Sequence, residues 1–132
     1  LSETTGQPLE GRILVVDDLL DAATSLALVC ELYGAQAKVA RDGIEALSVG
    51  AKFHPHVVVM DISMPHMDGY EAARRLRAEE WGKDVVLIAL TGWGRQGDID
   101  SARAAGFDGH LLKPVEADAM VSLIQRLRAP KG

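Results

Sequence analysis

Asp17, Asp18, Asp61, Thr91 and Lys113 are the residues whose types and positions could do chemistry together. Each group follows a short apolar run: Ile13-Leu14-Val15-Val16 before the acidic pair, Val57-Val58-Val59-Met60 before Asp61, Val85 through Leu90 before Thr91, and Leu111-Leu112 before Lys113. Three carboxylates held close together repel one another unless something positive joins them. A hard divalent cation suits them, and oxygen ligands with room for water favour magnesium. A lysine adds a fixed positive charge and a threonine a hydroxyl donor. Such surroundings match the needs of phosphoryl transfer, where the equatorial oxygens need positive charge and donors and the attacking oxygen needs alignment. Asp61 is the best nucleophile candidate because it follows the most central apolar strand, and carboxylates are known to form aspartyl phosphates.

Short runs rich in β-branched residues read as strands buried on both faces. Arg12 to Val16 is the first strand, and a helix follows over about residues 20–33. Ala22, Leu26, Val29, Cys30 and Tyr33 fall on one face of it at helical spacing. Gly34 is placed to end that helix in a left-handed cap. A second strand spans residues 36–40, and Asp42 with Glu45 makes a capping-box pattern for a helix to about Gly50. Pro55 breaks the chain before the third strand, residues 57–60. Met64-Pro65 and then Asp68-Gly69 signal turns before a third helix over about 70–80, with Ala72, Ala73 and Leu76 facing inward. The fourth strand covers 85–90. A glycine-rich loop, 92–97, leads to a weak helix near 98–105, a short fifth strand over 109–112, and an amphipathic helix over 116–128 with Met120, Leu123, Ile124 and Leu127 on one stripe. Five strands alternating with five helices predict an α/β fold, a doubly wound parallel sheet covered on both faces. Ligands bind such sheets beyond the carboxyl ends of the strands. That edge is where the five candidate residues meet.

The 132 residues suffice for one domain with a real core. Residues 1–11 read as a linker or tail, 12–128 as the domain and 129–132 as a C-terminal tail. The net charge of −5 argues against a nucleic-acid surface. No apolar run approaches a membrane span and no signal peptide is visible, so no membrane contact by this domain is expected. Cys30, the single cysteine, reads as a buried small hydrophobe, and a reducing, cytoplasmic setting is expected. The first residue is Leu1 rather than Met, which suggests a piece of something longer.

Taken together, Asp17-Asp18, Asp61 with Met64-Pro65 and Met67-Asp68-Gly69 behind it, Thr91 and Lys113-Pro114 resemble, in order and spacing, the receiver domain of two-component response regulators. The resemblance covers about residues 12–128. It implies a flavodoxin-like sheet of order 2-1-3-4-5. It implies that Asp61 accepts a phosphoryl group from a phosphohistidine on a histidine kinase or phosphotransfer domain. Magnesium would be held by Asp18, Asp61 and the backbone carbonyl of Ser63, with Asp17 helping through water. Lys113 and Thr91 would bind phosphoryl oxygens, and a cis Lys113-Pro114 bond would aim the lysine inward. Thr91 and the residue matching a switch aromatic, here His110, would move on phosphorylation. The face formed by the fourth helix, fifth strand and fifth helix would carry the output, and dimerisation is open. Such a domain is a switch that assists its own phosphorylation and dephosphorylation rather than a conventional enzyme. The wording around loop four and Gly106 to Val115 resembles receivers attached to hybrid histidine kinases.

Three departures stand out. Leu19 occupies a position that is often polar in the family, His110 replaces the commoner Tyr or Phe, and Trp93 is bulky where side chains influence phosphoryl lifetime, as does Ser63. Leu19 leaves room for a second reading, a pseudo-receiver that binds partners and takes no phosphate. A phosphatase with a nucleophilic aspartate would need a second acid two residues on, and Leu19 and Ser63 stand there instead. The Gly92-Trp93-Gly94-Arg95-Gln96-Gly97 match to a dinucleotide fingerprint fails because it follows the fourth strand and lacks a correctly spaced acid. His54, His56 and His66 lack zinc-ligand spacing. Arg74, Arg75 and Arg77 lie late in the third helix, where they favour its dipole. Asp18 or Asp21 could instead cap the first helix.

Overall fold

A computed structural model of the protein describes residues 9–64, 67–92 and 96–129. Pro65, His66, Trp93, residues 94–95 of the glycine-rich loop and the tails over 1–8 and 130–132 lie outside the described residues. In chain order the elements are β1 (Arg12–Val16), α1 (Leu20–Leu32), β2 (Gln36–Ala40), α2 (Gly43–Phe53), β3 (Val57–Asp61), α3 (Gly69–Ala78), a 3-10 turn (Glu80–Gly82), β4 (Val86–Thr91), α4 (Gln96–Ala105), β5 (Gly109–Leu112) and α5 (Ala117–Arg128). The strands form one parallel sheet of order β2-β1-β3-β4-β5, as expected.

Side chains of a strand alternate between the two faces of the sheet. Leu14, Val16, Val58, Met60, Leu87 and Ala89 therefore pack with residues of α2, α3 and α4 on one face. Ile13, Val15, Val57, Val59, Ile88 and Leu90 pack with residues of α1 and α5 on the other. All five residues of β3 are buried, so it lies at the centre of both layers. Each fully buried Val or Leu side chain contributes roughly 1.5–3 kcal/mol, which makes β3 the most firmly held strand.

The inner face of α1 is Ala23, Ala27 and Cys30, with Leu26, Val29 and Tyr33 half-buried beside it. Ala22 is exposed, contrary to expectation, and the buried stripe runs through Ala23 instead. Gly34 has a φ of +103°, as a left-handed cap requires. Asp42 caps α2 by accepting from Glu45 N–H at 2.8 Å, but the Glu45 carboxylate reaches back to Arg41 N–H rather than to Asp42. The helix also runs past Gly50 to Phe53. The packed body begins ahead of β1. Leu9 is buried, and its N–H donates to Tyr33 O at 2.7 Å.

Candidate phosphoryl-transfer site

In-register pairing brings the candidate residues together. Val16 pairs with Met60 across β1 and β3, so Asp17 and Asp61 are the next step of the same ladder. Asp61 in turn pairs with Leu90, and Thr91 with Leu112. Three backbone bonds carry the ladder one residue past the strands: Asp17 N–H to Ala40 O (3.1 Å), Ile62 N–H to Leu90 O (3.1 Å) and Lys113 N–H to Thr91 O (2.8 Å). Alternation then sorts the side chains. Asp17, Asp61 and Lys113 continue the parity of the α1/α5 face, whereas Thr91 and His110 continue that of the α4 face. His110 is half-buried and lines a small depression with Ile99, Ala102 and Phe107.

Asp61 is 2% exposed, and its Oδ2 lies 2.8 Å from Lys113 Nζ. Its Oδ1 accepts the Ser63 N–H at 3.0 Å. Asp17 is also 2% exposed, and its Oδ1 accepts the Leu19 N–H at 2.9 Å. Asp18 is exposed at the mouth of the site. Neither Asp18 nor Asp21 caps α1, whose N-cap is Leu19 with no side-chain bond, so the alternative reading of Asp18 as a helix cap does not hold. Thr91 is buried at the end of β4. The Lys113-Pro114 bond is cis.

Oxygens of Asp17, Asp18 and Asp61 lie within 4.8 Å of one another. Burial pushes the Asp17 carboxyl above its ordinary range, and repulsion from Asp61 adds to this; the Leu19 N–H and Lys113 pull it back only in part. Oxygen donors at this spacing, two of them buried and one open to solvent, fit a hard divalent cation.

Behind Asp61, Gly69 N–H donates to Ile62 O at 2.8 Å. A Cβ at Gly69 would stand 2.6 Å from Ile62 Cα and 2.8 Å from Asp61 O, so only glycine lets α3 start this close to the acceptor strand. Asp68 caps α3 by accepting from Glu71 N–H at 2.9 Å. The side chains of His54 and His56 are exposed. His56 Nδ1 accepts the Arg12 N–H at 3.0 Å, and the His54 carbonyl accepts from Arg12 Nε at 2.8 Å. Arg77, expected only to favour the helix dipole, binds backbone carbonyls at the far end of the sheet; no sequence signal singles it out from Arg74 and Arg75.

Comparison with known proteins agrees with this geometry. The profile of the response regulator receiver domain matches residues 13–125. An uncharacterised 14.6 kDa protein of Leptolyngbya boryana is 39% identical over 86% of this chain and 87% of its own length. Probable histidine kinase 2 of Oryza sativa subsp. indica is 38% identical over 89% of this chain, which spans only 13% of that protein. Among solved structures, the chemotaxis response regulator CheY4 of Vibrio cholerae superposes with a TM-score of 0.85 at 26% identity, covering 90% of this chain and 99% of that one. The receiver domain of sensor histidine kinase PA1611 of Pseudomonas aeruginosa, with a magnesium ion coordinated in its active-site cleft, gives 0.80 at 31% identity, covering 89% and 97%. The receiver domain of Ssk1, crystallised with the histidine phosphotransfer protein Ypd1 of Saccharomyces cerevisiae, gives 0.80 at 27% identity, covering 86% of each chain.

Proposed function

The chain belongs to the response-regulator receiver family of two-component signalling, and from that premise we propose that it is a phospho-acceptor switch with Asp61 as the acceptor. The observation that carries the reading is the buried Asp61 carboxylate, paired with Lys113 at 2.8 Å beside two further acids. A carboxylate oxygen of Asp61 attacks the phosphorus of a phosphohistidine. The P–N bond breaks, an acyl phosphate forms, and the imidazole leaves. Asp17, Asp18, Asp61 and the Ser63 carbonyl would hold Mg2+. When bound, that ion supplies positive charge against the phosphoryl oxygens. Lys113 supplies the same from the other side, and Thr91 donates from its hydroxyl.

Thr91 and His110 share the α4 face, which supports a switch running from Thr91 to the α4–β5–α5 surface. Phosphorylation shifts a pre-existing equilibrium between two arrangements of that surface. The domain accelerates only its own phosphorylation and hydrolysis. The partner is a histidine kinase or phosphotransfer domain, which the likeness to the Ssk1 receiver supports; the match to a probable histidine kinase supports a hybrid kinase as one setting for such a receiver. Leu19, Leu20 and Leu112, each within two residues of Asp18 or Lys113 in the chain, are exposed, and Leu19 lines a largely apolar groove of about 260 Å3 with Leu26, Leu90, Pro114 and Val115. Such exposed apolar surface suits a protein donor. A cytoplasmic setting goes with such partners; among the described residues no helix is long and apolar enough to cross a membrane.

Intact mass after incubation with acetyl phosphate tests the proposal. One phosphoryl adduct is expected, dependent on Mg2+ and lost in Asp61→Asn. Absence of an adduct with both acetyl phosphate and a phosphorylated kinase domain would overturn it in favour of the pseudo-receiver reading, with Leu19 the first residue to revert to a polar one.

A further inference from the structure

Arg77 makes more polar contacts than its place late in α3 suggests. Its Nη1 donates to the carbonyls of Gly82 (3.0 Å), Lys83 (3.2 Å) and Val85 (2.7 Å). Its Nε and Nη2 both reach Gly106 O, at 3.0 and 2.7 Å. Nη2 also pairs with Asp108 Oδ2 at 2.9 Å. The same Asp108 oxygen accepts the Leu87 N–H at 2.8 Å, while Asp108 N–H donates to Leu87 O at 2.7 Å. One guanidinium thus joins the end of α3, the segment leading into β4 and the turn between α4 and β5. One carboxylate closes the foot of the β4–β5 ladder.

This foot matters because β5 is weakly specified. It has four residues, lies at the sheet edge, and none of its residues is buried. A strand of that kind is prone to slip, and a slip of one residue turns every side chain to the other face. Counting up from the Asp108–Leu87 tie, Ile88 pairs with Gly109 and Thr91 with Leu112. The ladder ends with Lys113 N–H on Thr91 O, and Lys113 Nζ then meets Asp61. Roughly 13 Å of strand separates the two ends.

We infer that Arg77 and Asp108 are a positioning pair: by fixing the register of β5 against β4 at its foot, they place the Lys113 ammonium opposite Asp61 at its head. The inference rests on the reading of Asp61 as phospho-acceptor for its functional consequence, and on the ladder alone for its structural one. The partners of the pair lie in none of β1, Asp17 or Asp18, so it acts on Lys113 and not on the carboxylate cluster.

The test uses Asp108→Ala, Arg77→Met and the conservative Asp108→Asn, which keeps an oxygen for the Leu87 N–H. Two quantities are read on each folded variant: hydrogen exchange of the Lys113 amide, and the rate of Asp61 labelling by acetyl phosphate across a Mg2+ titration. Asp108→Ala and Arg77→Met should deprotect the Lys113 amide and lower the maximal labelling rate roughly tenfold, as misplacement of a reacting neighbour does, with the Mg2+ midpoint within about twofold of wild type. Asp108→Asn should recover most of both. A general loss of stability would instead deprotect β3 amides equally and leave the rate per folded molecule unchanged. Wild-type protection and labelling in Asp108→Ala would overturn the inference, as would a rate loss not recovered by Asp108→Asn. If wild type itself is never labelled, the acceptor reading fails, and Lys113 exchange still decides whether the pair sets the register.

Discussion

Cys30 lies fully buried against the sheet, among Ala27, Ile13 and their neighbours of the α1/α5 face. Burial pushes its thiol up from 9.0 to about 12. The folded state therefore holds this proton at pH values where the unfolded chain releases it. The stabilisation is fully present below pH 9 and is lost as pH rises from there towards 12. Urea denaturation should show a loss of about 1.4 kcal/mol from this group by pH 10, absent in Cys30→Ala. A wild-type slope identical to that of the variant would mean the thiol is not sequestered. Cys30 was legible in the sequence as a buried hydrophobe because it sits in an apolar helical stripe. Asp17, Asp61, Thr91 and Lys113 were legible for a related reason: each follows an apolar run, and a parallel sheet gathers strand ends on one edge. Arg77 was not legible. Apart from the Asp108 carboxylate its partners are backbone carbonyls, which carry no residue-type signal, and all are brought near only by the turns after α3 and α4.

At the scale of elements, the sequence marks where strands lie better than where helices stop. All five strands followed from apolar runs and turn residues, and their order from the resemblance to receiver domains. The end of α2 did not, since the helix is expected to reach only about Gly50 and runs to Phe53. Gly50 is instead a packing position inside the helix. A Cβ there would stand 2.1 Å from the Trp81 ring, so the glycine is a socket for the tryptophan of the 3-10 turn. Gly50→Ala should cost about 2 kcal/mol, the usual price of overpacking, measured by chemical denaturation. Trp81→Phe should stay within about 1 kcal/mol of wild type, because it also removes a buried indole N–H that has no partner. A neutral Gly50→Ala would mean that Trp81 can leave its socket freely. The 3-10 turn itself escaped the sequence reading, since Glu80-Trp81-Gly82 is too short to show a period.

For the whole molecule, the distribution of exposed apolar side chains separates two kinds of phosphoryl donor. The chain carries a net charge of −5 and its reacting centre is acidic, yet Leu19 (63% exposed), Leu20 (51%) and Leu112 (52%), each within two residues of Asp18 or Lys113 in the chain, are open to solvent. A small donor such as acetyl phosphate needs only the cation, Lys113 and Asp61. A protein donor must also bring its histidine over the mouth of the site, and these leucines give it apolar surface to cover. Burying one exposed leucine is worth roughly 1.5–3 kcal/mol, and half-buried contacts are worth less. Leu20→Ser and Leu112→Ser, made singly, should therefore slow transfer from a phosphorylated histidine kinase domain by roughly tenfold, a change of about 1.4 kcal/mol. Labelling by acetyl phosphate should remain at the wild-type rate, since neither side chain is among the groups assigned to the cation or the phosphoryl oxygens. Parallel assays of the two donors on the same variants separate the effects. Equal slowing with both donors would assign the leucines to the shape of the site itself. No slowing with the kinase domain would place its docking surface elsewhere on the molecule.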